Sequence, residues 1–363
     1  MLLLNKTKNK KGEKQFEEAL KKFVLFALTV TMIFALAACD NANSNPGQEE
    51  DNQKQVTELT KITVSEPVRS ELWGPVYLAK TLGYFEAEGL DVEFVTVQGD
   101  MPTAPVLSGN SQFGLYGPEM ILKFKQQGQD VKLLLTVSDR YPYSFVTTKD
   151  ITSIEQLKSQ VVNGADSGSS PRAFVRSIVN SAGLNPDTDV TYVNINGAAS
   201  IAALESGDIK GTYVSPTARA IALQSGYNLL VDIYDPKVHK QLLGSESYEM
   251  YIVFATEKYI SENPEVAQGF SNAVYKALLW ADSHSADEIV EAMKPLFTNS
   301  ETLPTAIKEI KENDIWSVTG QFSDEGFAAI NRVATASGLI NSDVDRADVI
   351  AEDFMNNSHK NIK

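Results

Sequence analysis

The chain has 363 residues, with 32 Lys or Arg against 47 Asp or Glu, a formal net charge of −15 and one cysteine. So acidic a balance argues against nucleic acid as a partner, because phosphate binding needs clustered basic residues. A single thiol excludes a disulfide scaffold.

Seven lysines (Lys6, Lys8, Lys10, Lys11, Lys14, Lys21, Lys22) precede an apolar run from Phe23 to Ala38. That order is the plan of a secretory signal peptide, and the run is shorter than the ~20 apolar residues a spanning helix needs. Leu36-Ala37-Ala38-Cys39 closes the run. With the thiol at the cut site, the segment resembles the lipobox of bacterial lipoproteins, in which the cysteine is diacylated and becomes the new N-terminus. Residues 1–38 are therefore expected to be a signal peptide, and lipid on Cys39 to anchor an extracytoplasmic body to the cell membrane. A body with no other cysteine suits an oxidising compartment. Without the signal segment, 25 basic and 44 acidic residues remain, a net charge near −19. Residues 39–60 are polar, with almost nothing apolar to bury. They read as a flexible tether averaging roughly 25 Å end to end.

From Lys61 short apolar strands alternate with amphipathic helices. Strands are predicted at Ile62–Val64, Val92–Val97, Gln112–Tyr116 and Val131–Val137, and helices at Pro75–Leu82, Pro102–Leu107 and Pro118–Gln127. This alternation predicts an α/β fold with mostly parallel strands. The pattern then returns 98 positions later. Asp91-Val92, Phe94-Val95 and Gly99 recur as Asp189-Val190, Tyr192-Val193 and Gly197. Ser108-Gly109, Pro118 and Gly128 recur as Ser206-Gly207, Pro216 and Gly226, and Tyr116 and Tyr213 keep nearly the same register. Two similar lobes are expected. The extended stretches Tyr143–Lys149 and Glu249–Thr256 fall where the chain must pass between them, making a two-strand hinge. The expected organisation is residues 61–145 as the first part of lobe one, 146–253 as lobe two, and 254–363 as a return to lobe one. In that last part, helices at Pro264–His284, Ala286–Phe297, Pro304–Asn313 and Asp324–Gly338 would wrap back onto the first lobe.

The run Pro75-Val76-Tyr77-Leu78-Ala79-Lys80, with Gly83-Tyr84-Phe85-Glu86-Ala87-Glu88-Gly89-Leu90-Asp91-Val92, resembles a hallmark of one group of ABC-importer substrate-binding proteins. This is the nitrate/sulfonate/taurine and thiamine-pyrimidine group. Leu107-Ser108-Gly109 with Phe113-Gly114, Ile154–Lys158 and Ala182–Pro186 resemble further pieces of the same pattern. Two departures are Gln112, where such proteins often carry an acid, and the missing Gly-Lys after Leu157-Lys158. The resemblance implies a two-lobed periplasmic-binding-protein fold of the type II kind with its ligand cleft between the lobes. It also implies ABC permease subunits as membrane partners. The body is expected to be a monomer.

In open α/β sheets ligands lie beyond the carboxyl ends of strands. The loops there nominate Glu66, Trp73, Tyr116, Glu119, Arg140 and Tyr141 in lobe one, and Asp166, Ser167, Ser169, Ser170, Arg172, Asn196 and Ser215 in lobe two. Gly168-Ser169-Ser170-Pro171-Arg172 opens a helix, so its free N–H groups and hydroxyls suit a sulfonate, carboxylate or phosphate. Plain capping accounts for the same serines. Glu119 would cap a helix or accept from a ligand amine, and Arg140 and Arg172 would pair an anion. Trp73, Tyr77, Tyr116, Tyr141 and Tyr143 would supply flat walls. Rings with Glu66, Glu119 and Asp139 suit an amino-pyrimidine or similar heterocycle, and the arginines with the serine-rich helix start suit a sulfonate or nitrate. The balance tips to the heterocycle. No metal or cofactor is expected, since His239, His284 and His359 are scattered and the one cysteine is the anchor. Two alternatives remain: an enzyme like the eukaryotic pyrimidine synthase of thiamine assembly, and a solute sensor docking to a membrane receptor.

Overall fold

The computed structural model describes residues 58–97, 103–195, 198–298 and 300–362. Cys39, the signal segment and most of the tether lie outside the described residues, as do Asn196 and the repeat glycines Gly99 and Gly197.

The first sheet begins with β1 (Thr60–Glu66), a single 3-10 turn at Glu71–Trp73, α1 (Gly74–Thr81), α2 (Tyr84–Ala87) and β2 (Leu90–Thr96). It continues through α3 (Ala104–Leu107), β3 (Phe113–Tyr116), α4 (Pro118–Gln126) and β4 (Lys132–Thr136). The second sheet takes β5 (Ser144–Thr147), β6 (Val161–Asn163), α5 (Ser170–Ser181), β7 (Thr191–Val193), α6 (Ala198–Ser206), β8 (Gly211–Val214), α7 (Pro216–Gln224), β9 (Asn228–Val231) and α8 (Pro236–Leu243). Next, β10 (Ile252–Ala255) rejoins the first sheet. The chain ends in α9 (Glu257–Glu262), α10 (Pro264–Ser283), α11 (Ala286–Met293), α12 (Leu303–Glu312), α13 (Asp324–Ala336), α14 (Arg346–Val349) and α15 (Glu352–Asn361).

The strand orders are β2-β1-β3-β10-β4 and β7-β6-β8-β5-β9, one topology used twice. In the first sheet Val64 pairs in parallel with Phe94 and Phe113; in the second Val162 pairs with Tyr192 and Gly211. Each of those three partners lies 98 positions after its counterpart, so the sequence repeat is a register repeat. Its glycines are the turn residues that need positive φ, Gly109 and Gly207 at 79° and 81°, Gly128 and Gly226 at 76° and 75°. In each sheet the strand that arrives from the other lobe, β10 or β5, is the antiparallel one.

The chain passes between lobes just before those two strands. The crossings hydrogen-bond to each other, Val137 N–H to the Tyr251 carbonyl at 2.8 Å and Tyr248 N–H to the Asp139 carbonyl at 2.9 Å. Residues 315–317 run alongside, with Asp139 N–H donating to the Ile315 carbonyl and Ser317 N–H to the Val137 carbonyl.

The C-terminal helices do more than cover lobe one. Phe270 of α10 stacks on Phe113 at 4.3 Å and lies 4.8 Å from Phe85, against the first sheet. However, α12 also packs on α7, and α13 packs on α4 of the first lobe and on α5 and α8 of the second. Two return helices therefore span both lobes.

Candidate functional site

The lobes meet where α4 and α5 point their N-termini at each other. Ser170 at the start of α5 donates its hydroxyl to the Glu119 carboxylate in the first turn of α4. Tyr248, on the returning crossing, donates to the other carboxylate oxygen at 2.5 Å, and the Tyr141 hydroxyl donates to the Ser170 carbonyl at 2.9 Å. Glu119 is fully buried, and that burial pushes its carboxyl up, partly offset by the bonds from Ser170 and Tyr248. At another point of contact, Thr217 of α7 donates to Glu71 at 3.4 Å, and Arg219 binds Asp232 at 3.1 Å and Glu309 at 3.5 Å. This is a closed arrangement of the lobes.

Between these contacts is a set of rings. Trp73 meets Tyr251 edge-on at 4.6 Å, the Tyr251 and Tyr143 hydroxyls are 2.6 Å apart, and Tyr143 meets Tyr213 at 5.2 Å. Burial pushes the Tyr116 hydroxyl up to about 12, with Asp166 and Glu119 adding to it, and burial with Asp166 does the same to Tyr213. Asp166 is exposed and accepts from Asn194 Nδ2 at 2.5 Å. The indole nitrogen of Trp73 and the hydroxyls of Ser65 and Ser144 are buried with no partner among the described residues. Rings, acids and free polar atoms at strand ends are what a small-molecule site uses.

Several predicted residues take other roles. Glu66 is fully buried and held within lobe one by Arg69 Nε at 2.7 Å, Tyr77 at 2.6 Å and Thr96 at 2.9 Å. Arg172 gives Nε and Nη2 to the Ala165 carbonyl at 3.2 and 2.7 Å and stacks on Tyr192 at 4.3 Å. The expected anion partner is therefore a loop clamp. Arg140 is also displaced. With Asp139, Lys311 and Asp314 it lines a separate cavity of about 440 Å³ between the crossings and α10 and α12. Tyr141 is core, packed on Phe174 at 4.7 Å and Tyr248 at 5.2 Å. Ser169 and Ser215 are N-caps, accepting from Arg172 N–H and Ala218 N–H. Ser167 is exposed on the loop before α5. The structure thus brings together Trp73, Tyr116, Glu119, Asp166 and Ser170 of the predicted set.

Glu71, Tyr213, Tyr248 and Tyr251 were not among the predicted site residues. For Tyr213 a signal existed, its repeat partner Tyr116. Glu71 sits on a single turn with no periodicity to mark it. Among the described residues no group of three or more His, Cys, Asp or Glu is placed to hold a metal ion, and no helix is long and apolar enough to cross a membrane.

Over residues 73–287 the sequence matches the family described as NMT1/THI5 like. The chain belongs to that family. It is similar, at 27% identity over 322 residues, to the putative binding protein YtlA of Bacillus subtilis (strain 168), covering 85% of this chain and 89% of that protein. It is also similar, at 24% over 305 residues, to the formylaminopyrimidine-binding protein of Halalkalibacterium halodurans, covering 82% and 85%. Among solved structures, it resembles a putative periplasmic sulfonate-binding protein, SsuA of Methylobacillus flagellatus KT (TM-score 0.61, 19% identity, 84% of this chain and 95% of that one). It resembles the desulfurization enzyme DSZB to the same degree (TM-score 0.61, 14% identity, 84% and 100%). At such identities these structures show the fold alone, the two-lobed fold of periplasmic binding proteins. That fold hosts binders and at least one enzyme, so only the site separates the two.

Proposed function

We propose that the chain is the solute-binding component of an ABC importer, and that it captures an amine-bearing nitrogen heterocycle of the aminopyrimidine kind by closing its lobes. The observation that carries this reading is the charge of the facing surfaces. Glu71, Glu119 and Asp166 lie there, while Arg69, Arg172 and Arg219 are each engaged by carboxylates or a carbonyl. A sulfonate or nitrate in such a cleft would meet these acids, an unfavourable pairing, while Arg172 has two of its five N–H donors committed to the Ala165 carbonyl. A heterocycle would stack on the rings and donate its amine to a carboxylate. The formylaminopyrimidine-binding relative, matched along most of both chains, supports the same class. An enzyme of this fold is the weaker reading, because from residue 58 onward the chain contains no cysteine and only three histidines. Isothermal titration of the purified chain against aminopyrimidines, taurine, alkanesulfonates and nitrate tests the proposal. Heat with aminopyrimidines only is the expected result, and tight binding of a sulfonate alone would reverse the assignment.

The body works outside the cytoplasm as a monomer, held by lipid on Cys39 and handing its ligand to permease subunits. Several acyl chains on one cysteine anchor stably, at roughly 0.8 kcal/mol per buried methylene. Replacing Cys39 with Ser is therefore expected to move the protein from the membrane pellet to the soluble fraction. A Cys39→Ser protein that still sediments with membranes would refute the anchor.

A further inference from the structure

The proposed ligand class leaves open which groups tell an amine-bearing ring from a plain one. Two candidates share the single turn Glu71–Trp73. Trp73 is 5% exposed, and its ring edge is set against Tyr251. Its indole N–H has no acceptor among the described residues. The contrast is Trp316, whose indole nitrogen donates to the Leu72 carbonyl at 3.2 Å. A buried donor left unmatched is costly, so the position is meaningful.

Glu71 is the complementary group. Its carboxylate accepts from its own backbone N–H and, over a long 3.4 Å, from Thr217 across the lobe contact, although a carboxylate offers about four acceptor sites. No Lys or Arg among the described residues pairs with it; the nearby cation on α7, Arg219, is already held between Asp232 and Glu309. Burial raises its carboxyl, and burial likewise raises the hydroxyls of Tyr143 and Tyr251, with a smaller contribution from the Glu71 charge. Glu71 and Trp73 therefore both bear on the Tyr143–Tyr251 pair.

The turn is held rigidly enough to discriminate. Ser70 caps it by accepting from Leu72 N–H, and Trp316 packs so closely that a Cβ on Gly74 would overlap its ring. Preorganised donors and acceptors are what make a site selective.

Resting on the heterocycle reading above, we infer that Glu71 and Trp73 form the edge reader of the cleft, Glu71 accepting a hydrogen bond from the ligand's exocyclic amine and the Trp73 indole donating one to a ring nitrogen. The pair accepts rings that carry both groups side by side and discriminates against those lacking the amine.

The test is titration calorimetry of the purified full chain with 4-amino-2-methylpyrimidine, 2-methylpyrimidine and taurine, with thermal melts of each variant as the folding control. Wild type is expected to prefer the amino compound over the des-amino one by about tenfold or more. Glu71→Gln should weaken the amino compound by about 10- to 100-fold and the des-amino one by less than about threefold, so that the preference collapses. Trp73→Phe, which keeps the ring and loses the N–H, should weaken both pyrimidines together. A Glu71→Gln protein that keeps the wild-type preference, or loses both pyrimidines equally, would overturn the edge reader while leaving the ligand class intact. A wild type that binds taurine and neither pyrimidine would overturn the ligand class itself, before any variant is measured.

Discussion

Gly117→Ala is expected to fold normally and to bind its ligand about 5- to 150-fold more weakly, because it blocks lobe closure alone. Gly117 has φ −90° and ψ 149°, a backbone that alanine adopts freely, so the change stores no strain in its own lobe. A Cβ at that position would overlap the Ser170 hydroxyl and lie 3.1 Å from Ser170 Cβ, both on the other lobe. Glu119 Oε2, in its own lobe, would also lie 3.1 Å away, a tight contact relieved by a shift of a few tenths of an ångström, so the severe overlap exists only when the lobes are shut. Overpacking of this kind costs about 1–3 kcal/mol. Taken from the closed state, that amount lowers the competent fraction and raises the apparent Kd in proportion. The repeat partner shows what the glycine gives up. Ser215, 98 positions later, uses its hydroxyl to cap α7, and Gly117 has no such cap to offer α4. Small-angle scattering should find Gly117→Ala extended with ligand present, and a second change, Ser170→Gly, should recover part of the binding, short of wild type by the lost Ser170–Glu119 bond. Wild-type affinity in Gly117→Ala, or a fall in melting temperature that matches the affinity loss, would exclude the lobe contact as the seat of closure.

The repeat made the fold readable, because its matches fall where backbone geometry restricts the residue. Gly109 and Gly207 must turn with positive φ, and Pro118 and Pro216 must start helices, so their spacing transmitted the register of both sheets. The crossings were harder to place. Tyr143–Lys149 and Glu249–Thr256 read as hinge strands, yet the strands β5 and β10 start only after the crossing is complete. Extended backbone looks the same in a hinge and in a sheet. Nor was there a signal for α12 and α13 spanning both lobes, since a helix's apolar stripe does not name its partner.

At the site, the loops were legible and the side-chain directions were not. Arg172 and Ser170 stand two residues apart on one helix start, but one turns back to its own loop and the other reaches the opposite lobe. Glu66 and Glu119 are both acids near strand ends. Arg69, Tyr77 and Thr96 surround the first within lobe one, whereas the second is shared between lobes. These outcomes depend on neighbours distant in sequence. One signal was available and missed: Glu249 interrupts the apolar stretch from Tyr248 to Phe254, and an acid there is seldom idle.

Glu249 should make stability fall as pH rises from about 4.5 toward neutrality. It is 1% exposed on the returning crossing, and one carboxylate oxygen accepts from Ser323 N–H at 3.0 Å and from the Ser323 hydroxyl at 2.8 Å. Its other oxygen is buried without a partner and lies so close to α13 that a Cβ on Gly326 would overlap it. Burial raises the carboxyl to about 7, with Asp139 adding to it and the Ser323 bonds opposing. A group whose folded pKa exceeds its unfolded value contributes stability that is complete below the unfolded pKa and lost as pH climbs through the folded one. Between pH 4.5 and 7 the loss amounts to about 3 kcal/mol, at 1.36 kcal/mol per pH unit. His239 works in the opposite direction, since burial lowers its pKa and the fold gains as it deprotonates. The informative quantity is therefore the difference between wild type and Glu249→Gln in urea unfolding from pH 5 to 8.5. The wild-type curve should decline relative to the variant and level off above about pH 7.5. The Gln amide leaves its own donors buried, which shifts the variant's whole curve but cannot tilt it. Parallel curves would mean that the carboxylate is ionised throughout, and that α13's N-terminus, rather than a proton, neutralises it.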